Sequence, residues 1–144
     1  MNGIKMSDCK FYADKDAGVV ICVIPNTDGM LWDFLHDNCK WHDINMYYAV
    51  EGALEEQLYL PDSFVGKAVC APEDEWNEET GRLIAYARAK DKCYKSFFKR
   101  ANKLVQTVDK RLENMITIFN DFGVKLEDRR TELHQKIDKA LETE

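Results

Sequence analysis

Val19-Val20-Ile21-Cys22-Val23-Ile24-Pro25 decides how the rest of the chain is organised. Six apolar, mostly β-branched residues in a row favour an extended strand, and Pro25 ends it because proline has no N–H to give to a ladder. Unbroken apolarity, rather than alternation, predicts a strand covered on both faces. Upstream, Asp14-Lys15-Asp16-Ala17-Gly18 is rich in turn formers, and before it Phe11 and Ala13 alternate with polar neighbours. Residues 9–25 therefore read as a β-hairpin. Downstream, after a break at Pro61-Asp62, the run Phe64-Val65-Gly66-Lys67-Ala68-Val69-Cys70 reads as a further short strand. Hairpin and strand are expected to share one small antiparallel sheet, with the first turns of a long helix packed on it. Between them, Thr27 or Asp28 is expected to cap a short helix from about Met30 to Asn38 with Leu31, Phe34 and Leu35 as its apolar stripe. Residues 39–60 fit two readings: a strand over Ile44 to Val50, or a helix reaching Leu58 through Leu54.

From about Asn77 the pattern becomes helical, and no proline follows Pro72. Tyr94, Phe98, Ala101, Val105, Val108, Leu112, Met115, Phe119, Phe122 and Leu126 follow the alternating four- and three-residue steps of a coiled-coil seam. A helix over 77–121 would be about 65 Å long, at about 1.5 Å per residue, too long for one small globule to cover. Gly123 fits a helix C-cap. A last helix from about Val124 to Leu141 would then carry Leu126, Leu133, Ile137 and Leu141 back along the first as an antiparallel αα-hairpin. The alternative is a helix that continues through Gly123. The expected class is α+β: a small acidic α+β domain over 1–76, then a coiled-coil-like helical domain over 77–144. Tyr94 to Phe119 form the self-association seam. The C-terminal helix can cover only part of it, which favours a twofold homodimer.

The chain has 144 residues, room for one domain or a small domain with a helical extension. Its net charge of −6 hides an asymmetry: 16 acids against 5 Lys/Arg over 1–80, and 10 acids against 15 Lys/Arg over 81–144. Such a dipolar chain can attract opposite charge at either end. Five cysteines, Cys9, Cys22, Cys39, Cys70 and Cys93, are an odd number at irregular spacing. Reduced, mostly buried thiols in a bacterial cytoplasm are the expectation. No run of eighteen apolar residues suggests a membrane span, and the first residues lack the apolar core of a secretory signal.

Few constellations carry chemistry. His36, Cys39 and His42, with Cys70, offer a zinc-type ligand set. On a helix, however, steps of three point such residues in diverging directions, so surface histidines beside a buried Cys39 are expected and no metal is assigned. Cys39 or Cys70 with His36 or His42 could form a nucleophilic pair, but no orienting group or oxyanion hole is visible. Glu73, Asp74, Glu75, Glu78 and Glu79 read as a solvated first helical turn rather than a cation site. No phosphate-binding glycine loop appears. Neither catalysis nor a cofactor is expected. Bases interleave with Tyr86, Tyr94, Phe97 and Phe98 over 82–111, a mixture that suits single-stranded nucleic acid, with Arg88, Lys92, Lys95, Lys99 and Lys103 as contacts. Trp32, Trp41, Tyr47, Tyr48, Tyr59 and Trp76 exceed what a small core needs, and a surplus on the surface would mark a protein-binding patch.

Gly66-Lys67-Ala68-Val69-Cys70-Ala71-Pro72-Glu73-Asp74-Glu75-Trp76-Asn77-Glu78-Glu79-Thr80-Gly81-Arg82-Leu83-Ile84-Ala85 resembles a segment of small proteins encoded by phages and prophages of Gram-positive gut bacteria. In those a strand ending in Cys-x-Pro-x-Asp leads into an acidic helix start and a glycine. Physically this is a strand-to-helix corner, with Gly81 letting the helix approach the sheet. The resemblance implies a mobile-element accessory protein of the kind that binds and blocks host defence nucleases, as anti-CRISPR proteins do. The leading expectation is thus a non-catalytic inhibitor of a host defence protein such as a CRISPR effector. Its acidic half would face the partner through Asp33, Asp37, Glu55, Glu56, Glu73, Asp74 and Glu75. A nucleic-acid-binding accessory protein and a structural coiled-coil assembly protein are the alternatives.

Overall fold

A computed structural model describes residues 3–38 and 58–143. A single 3-10 turn, Met6–Asp8, precedes strands β1 (Lys10–Asp14) and β2 (Val19–Pro25). Helix α1 (Met30–Asn38), strand β3 (Ser63–Val69) and helix α2 (Glu78–Glu142) follow. The three strands form one antiparallel sheet in the order β1-β2-β3. The chain divides into two compact units, Met1–Val105 and Gln106–Glu144, and α2 contributes to both.

In the first unit the hairpin turns at Gly18, whose φ of 63° is left-handed and suits a residue without Cβ. Asp14 Oδ1 accepts the Ala17 N–H at 3.0 Å and fixes that turn. In the register Cys22 sits between Phe11 and Gly66, and Val20 between Ala13 and Ala68. Val20, Cys22, Ile24 and Ala68 on the sheet bury against Ala85, Ala89 and Cys93 of α2. Burial along β2 alternates residue by residue, so one face is sealed by the helix while Val19, Ile21 and Val23 on the other are only half-buried. The expectation of cover on both faces is corrected. A central strand of a three-stranded sheet is apolar throughout because its ladder neighbours shield it from both sides.

Residues 39–57 lie outside the described residues, and with them both readings of 39–60 up to residue 57. The structure changes the expected role of Thr27. Its hydroxyl donates to the Pro61 carbonyl at 2.5 Å, and its N–H donates to Asp62 O at 3.1 Å. Thr27, only 1% exposed, thus ties the end of β2 to the start of β3 instead of capping α1. Helix α2 begins as its sequence suggests. Asn77 Oδ1 accepts the Thr80 N–H at 3.0 Å, and Glu78 and Glu79 occupy the positive end of the dipole.

One feature of α2 adds to the sequence reading and a second corrects it. Its buried residues are Ala85, Ala89, Cys93, Phe97 and Leu104, whereas Phe98 and Val105 of the expected seam are 62% and 66% exposed. The segment Cys93-Tyr94-Lys95-Ser96-Phe97-Phe98 offers two stripes one residue apart, and contact with the sheet selects the one that continues the small residues Ala85 and Ala89. The second feature is that α2 runs unbroken through Gly123, so there is no second C-terminal helix and no αα-hairpin. A glycine C-cap needs a positive φ, and among the described residues Gly18 is the glycine that has one. In a helix interior glycine costs about 1 kcal/mol relative to alanine, which a long helical flank on each side absorbs.

How closely helix and sheet approach is set at Gly66. A Cβ there would come to 2.5 Å from Ala89 N and would also strike Ala85 O, both backbone atoms that cannot swing aside. At Gly81 a Cβ would meet Val20 Cγ2 at 2.7 Å, a side-chain methyl, and the expected close approach at that glycine is present. Gly66→Ala is expected to destabilise the fold by about 3 kcal/mol through overpacking. Gly81→Ala should cost clearly less, because the better helix propensity of alanine returns about 1 kcal/mol. Urea denaturation of both variants checks this ordering.

Candidate functional site

The face of the sheet turned away from α2 is built by strand alternation. Its three rows across β1, β2 and β3 are Lys10-Val23-Val65, Tyr12-Ile21-Lys67 and Asp14-Val19-Val69. Tyr12 is 60%, Val65 44% and Val69 61% exposed around the half-buried β2 residues. Six of these nine residues are apolar or aromatic, and Lys10, Lys67 and Asp14 share the face with them.

Acids gather at one end of the sheet. The Cys70 N–H donates to Gly18 O at 2.7 Å and draws the turn after β3 onto the hairpin. Asp14 and Asp16 of the hairpin thereby come to the same end of the sheet as exposed Glu73, Asp74 and Glu75. Asp74 and Glu75 share a cleft with Gly18, Val20 and Val69. Asp33, on α1, lies at the opposite end of β2, in a cleft with Ile24, Pro25 and Asn26. Asp37 is also exposed on α1, while Glu55 and Glu56 fall outside the described residues. The acidic residues expected to form one face are thus split between the two ends of a seven-residue strand.

The basic residues of α2 have local duties. Arg88 donates to Lys67 O at 2.7 Å and Lys92 to Val65 O at 2.9 Å. Both carbonyls belong to β3, an edge strand among the described residues, so these cations close an edge that would otherwise invite another strand. Lys95 pairs with Asp91 at 2.8 Å, both exposed. Lys90 lies over Tyr86 and Tyr94, 5.2 and 5.6 Å from the ring centroids, and the Tyr86 hydroxyl, foremost, raises its pKa. Lys99 and Lys103 are exposed farther along. Nothing in the sequence but the spacing of 88 and 92 along one helix face hinted at the edge role. Aromatic placement is mixed: Trp76 packs against the core, Tyr59 is half-exposed, and Trp41, Tyr47 and Tyr48 fall outside the described residues.

Three of the thiols, Cys9, Cys22 and Cys93, are poor nucleophiles. Burial, with Cys9 alongside, pushes Cys22 up to about 12, and burial also raises Cys9 and Cys93. The Cys93 thiol lies 3.5 Å from Met30 Sδ. Cys70, half-exposed, donates weakly to the carbonyls of Ala71 and Asp74. Among the described residues no three His, Cys, Asp or Glu side chains gather as a metal site; Cys39 and His42 lie outside them. No described helix is long and apolar enough to cross a membrane.

The second unit carries a different surface. Leu112, Met115, Phe119, Phe122, Leu126 and Leu133 repeat along one stripe of the helix and are 47–67% exposed. Within the first unit the other seam members divide: Tyr94 and Ala101 are half-buried, Phe98 and Val105 exposed.

Removing both edge cations (Arg88→Ala, Lys92→Ala) should cost roughly 1 kcal/mol per lost charged hydrogen bond and increase aggregation, measured by urea denaturation and light scattering. A raised Cys22 pKa means the unfolded thiol ionises first. Stability should therefore be full below pH about 9 and fall as pH rises toward about 12. Thermal midpoints across that range should fall less steeply for Cys22→Ala. No protein-family model matches the chain, and neither a curated protein nor a solved structure does.

Proposed function

We propose that this chain is a non-catalytic accessory protein of phage or prophage kind that binds a host defence protein and blocks it in the bacterial cytoplasm. The observation that carries this reading is the sheet face turned away from α2, where Tyr12, Ile21, Val65 and Val69 surround Lys67, with Asp14, Asp16, Glu73, Asp74 and Glu75 at one end of the sheet. An apolar centre with a charged rim is the anatomy of a protein-binding patch. RNA-guided nucleases hold their guide and target strands in a positively charged channel, and an acidic rim complements such a channel and speeds encounter with it. The bases of α2 favour nucleic acid less, because Arg88 and Lys92 are engaged with β3 carbonyls.

The test is phage plating on a bacterial strain with active CRISPR immunity, with and without this chain expressed. Plating efficiency should rise by at least about tenfold, and Tyr12→Asp with Val69→Asp should abolish the rise while leaving the circular dichroism unchanged. Loss of the effect on charge reversal at Lys95 and Lys99, together with retardation of single-stranded DNA at low salt, would instead select the nucleic-acid reading. No effect on plating against any nuclease-based defence tested would overturn the proposal.

A further inference from the structure

The helix of the second unit is charged in a pattern that fits its own reverse. Leu112, Phe119, Leu126 and Leu133 recur every seven residues, with Val108, Met115 and Phe122 between them at the second seam position. That second position then turns basic, at Arg129 and Lys136. In a parallel pair each seam residue faces its own copy, so Arg129 would face Arg129 and Lys136 would face Lys136. On the flank, Lys125 would lie against Arg130. Three like-charge layers oppose that arrangement.

Antiparallel pairing removes all of them. Place a twofold axis between Asn120 and Asp121. Phe119 then packs on the partner's Phe122, Met115 on the partner's Leu126 and Val108 on the partner's Leu133. Arg129 lies against the partner's Leu112, where its aliphatic stem covers the seam and its head reaches water. The flanking charges become complementary: Asp109 meets the partner's Arg130, and Arg111 meets the partner's Glu132, each twice by symmetry. Ile116, 51% exposed, falls opposite the partner's Gly123, where an added Cβ would meet no atom of another part of its own chain within 4 Å. This gives the mid-helix glycine a role. Sliding the helices by one heptad spoils the match, setting Arg111 against the partner's Lys125 in one direction and against the partner's Lys139 in the other.

We infer that residues 108–133 form an antiparallel two-stranded coiled coil with a second copy of this chain, in the register centred between Asn120 and Asp121. Whatever the first unit binds, this face is self-complementary, and a self-complementary face is what a twofold interface requires. Arg111 and Glu132 are three heptads apart on one helix, roughly 30 Å at about 1.5 Å per residue, so they can meet only between chains.

Two full-length variants test the register. One is made acidic at all four flanking positions (Arg111→Glu with Arg130→Asp), the other basic at all four (Asp109→Arg with Glu132→Arg). In sedimentation at low salt the native chain should be a dimer. Each variant alone should self-associate at least about tenfold more weakly, because all its interchain pairs repel. An equimolar mixture should regain a dimer of native affinity, as a heterodimer. The inference is overturned by a native chain that stays monomeric at high micromolar concentration, by variants that self-associate as well as the native chain, or by a mixture that fails to associate. A native monomer captured through this helix by a different protein would assign the face to that protein and overturn self-association.

Discussion

The contact of α2 with β3 at Gly66 governs the first unit. Helices usually pack on sheets through side chains that hold the backbones about 10 Å apart. Here Gly66 faces Ala85 and Ala89 with no side chain between, and Gly81 repeats the device against Val20. Small residues on both sides, with Cys22, Ala68 and Cys93 completing the cluster, let dispersion contacts act at short range in a core that has few large side chains to bury. The same closeness brings Arg88 and Lys92, which flank the alanine stripe on the helix, within reach of the β3 carbonyls. Edge protection is therefore a consequence of the packing distance. A bulkier interface would have left those carbonyls to solvent or to another strand.

Much of the fold was legible, for reasons that can be named. The β-branched run 19–24, the turn formers at 14–18 and the Pro61-Asp62 break identify the sheet, and Asn77 with Glu78 and Glu79 identifies the start of α2. Gly81 was readable as a close-approach glycine. Gly66 was not, because a glycine within a strand looks like a weak strand residue until the element facing it is known. The sequence reading named the seam of α2 but not the stripe that meets the sheet. Phe97 and Phe98 fit a helical period equally well, and only the sheet behind them decides between the two. The Gly123 stop failed because glycine ends a helix only where the chain gains by turning, and the residues after it, Val124-Lys125-Leu126, continue the helical pattern.

The candidate surface was less legible than the fold. The sequence drew attention to the acids, and correctly placed Glu73, Asp74 and Glu75 at a strand-to-helix corner. It did not show that the hairpin acids Asp14 and Asp16 join them, because the Cys70 to Gly18 hydrogen bond that brings the two turns together is a tertiary fact. Val19, Ile21 and Val23 read as core from their apolarity alone, although β2 has only one sealed face. In the basic run of α2, Arg88 and Lys92 meet carbonyls of β3. A count of cations cannot distinguish a lysine that meets a ligand from one that caps a strand carbonyl.

Residue size along α2 sorts what each part of the helix can meet. Over 85–93 the inward stripe is Ala85, Ala89 and Cys93, suited to a flat sheet approached closely. Over 112–126 the seam stripe is Leu112, Met115, Phe119, Phe122 and Leu126, large knobs that suit the holes of another helix and would hold a sheet too far off. Such residues, left half in water, forfeit about half of the roughly 1.5–3 kcal/mol that full burial of a large apolar side chain contributes. The gain comes from a surface of matching size, and the alternation of charge beside the stripe then sets which orientation of a second helix can supply it.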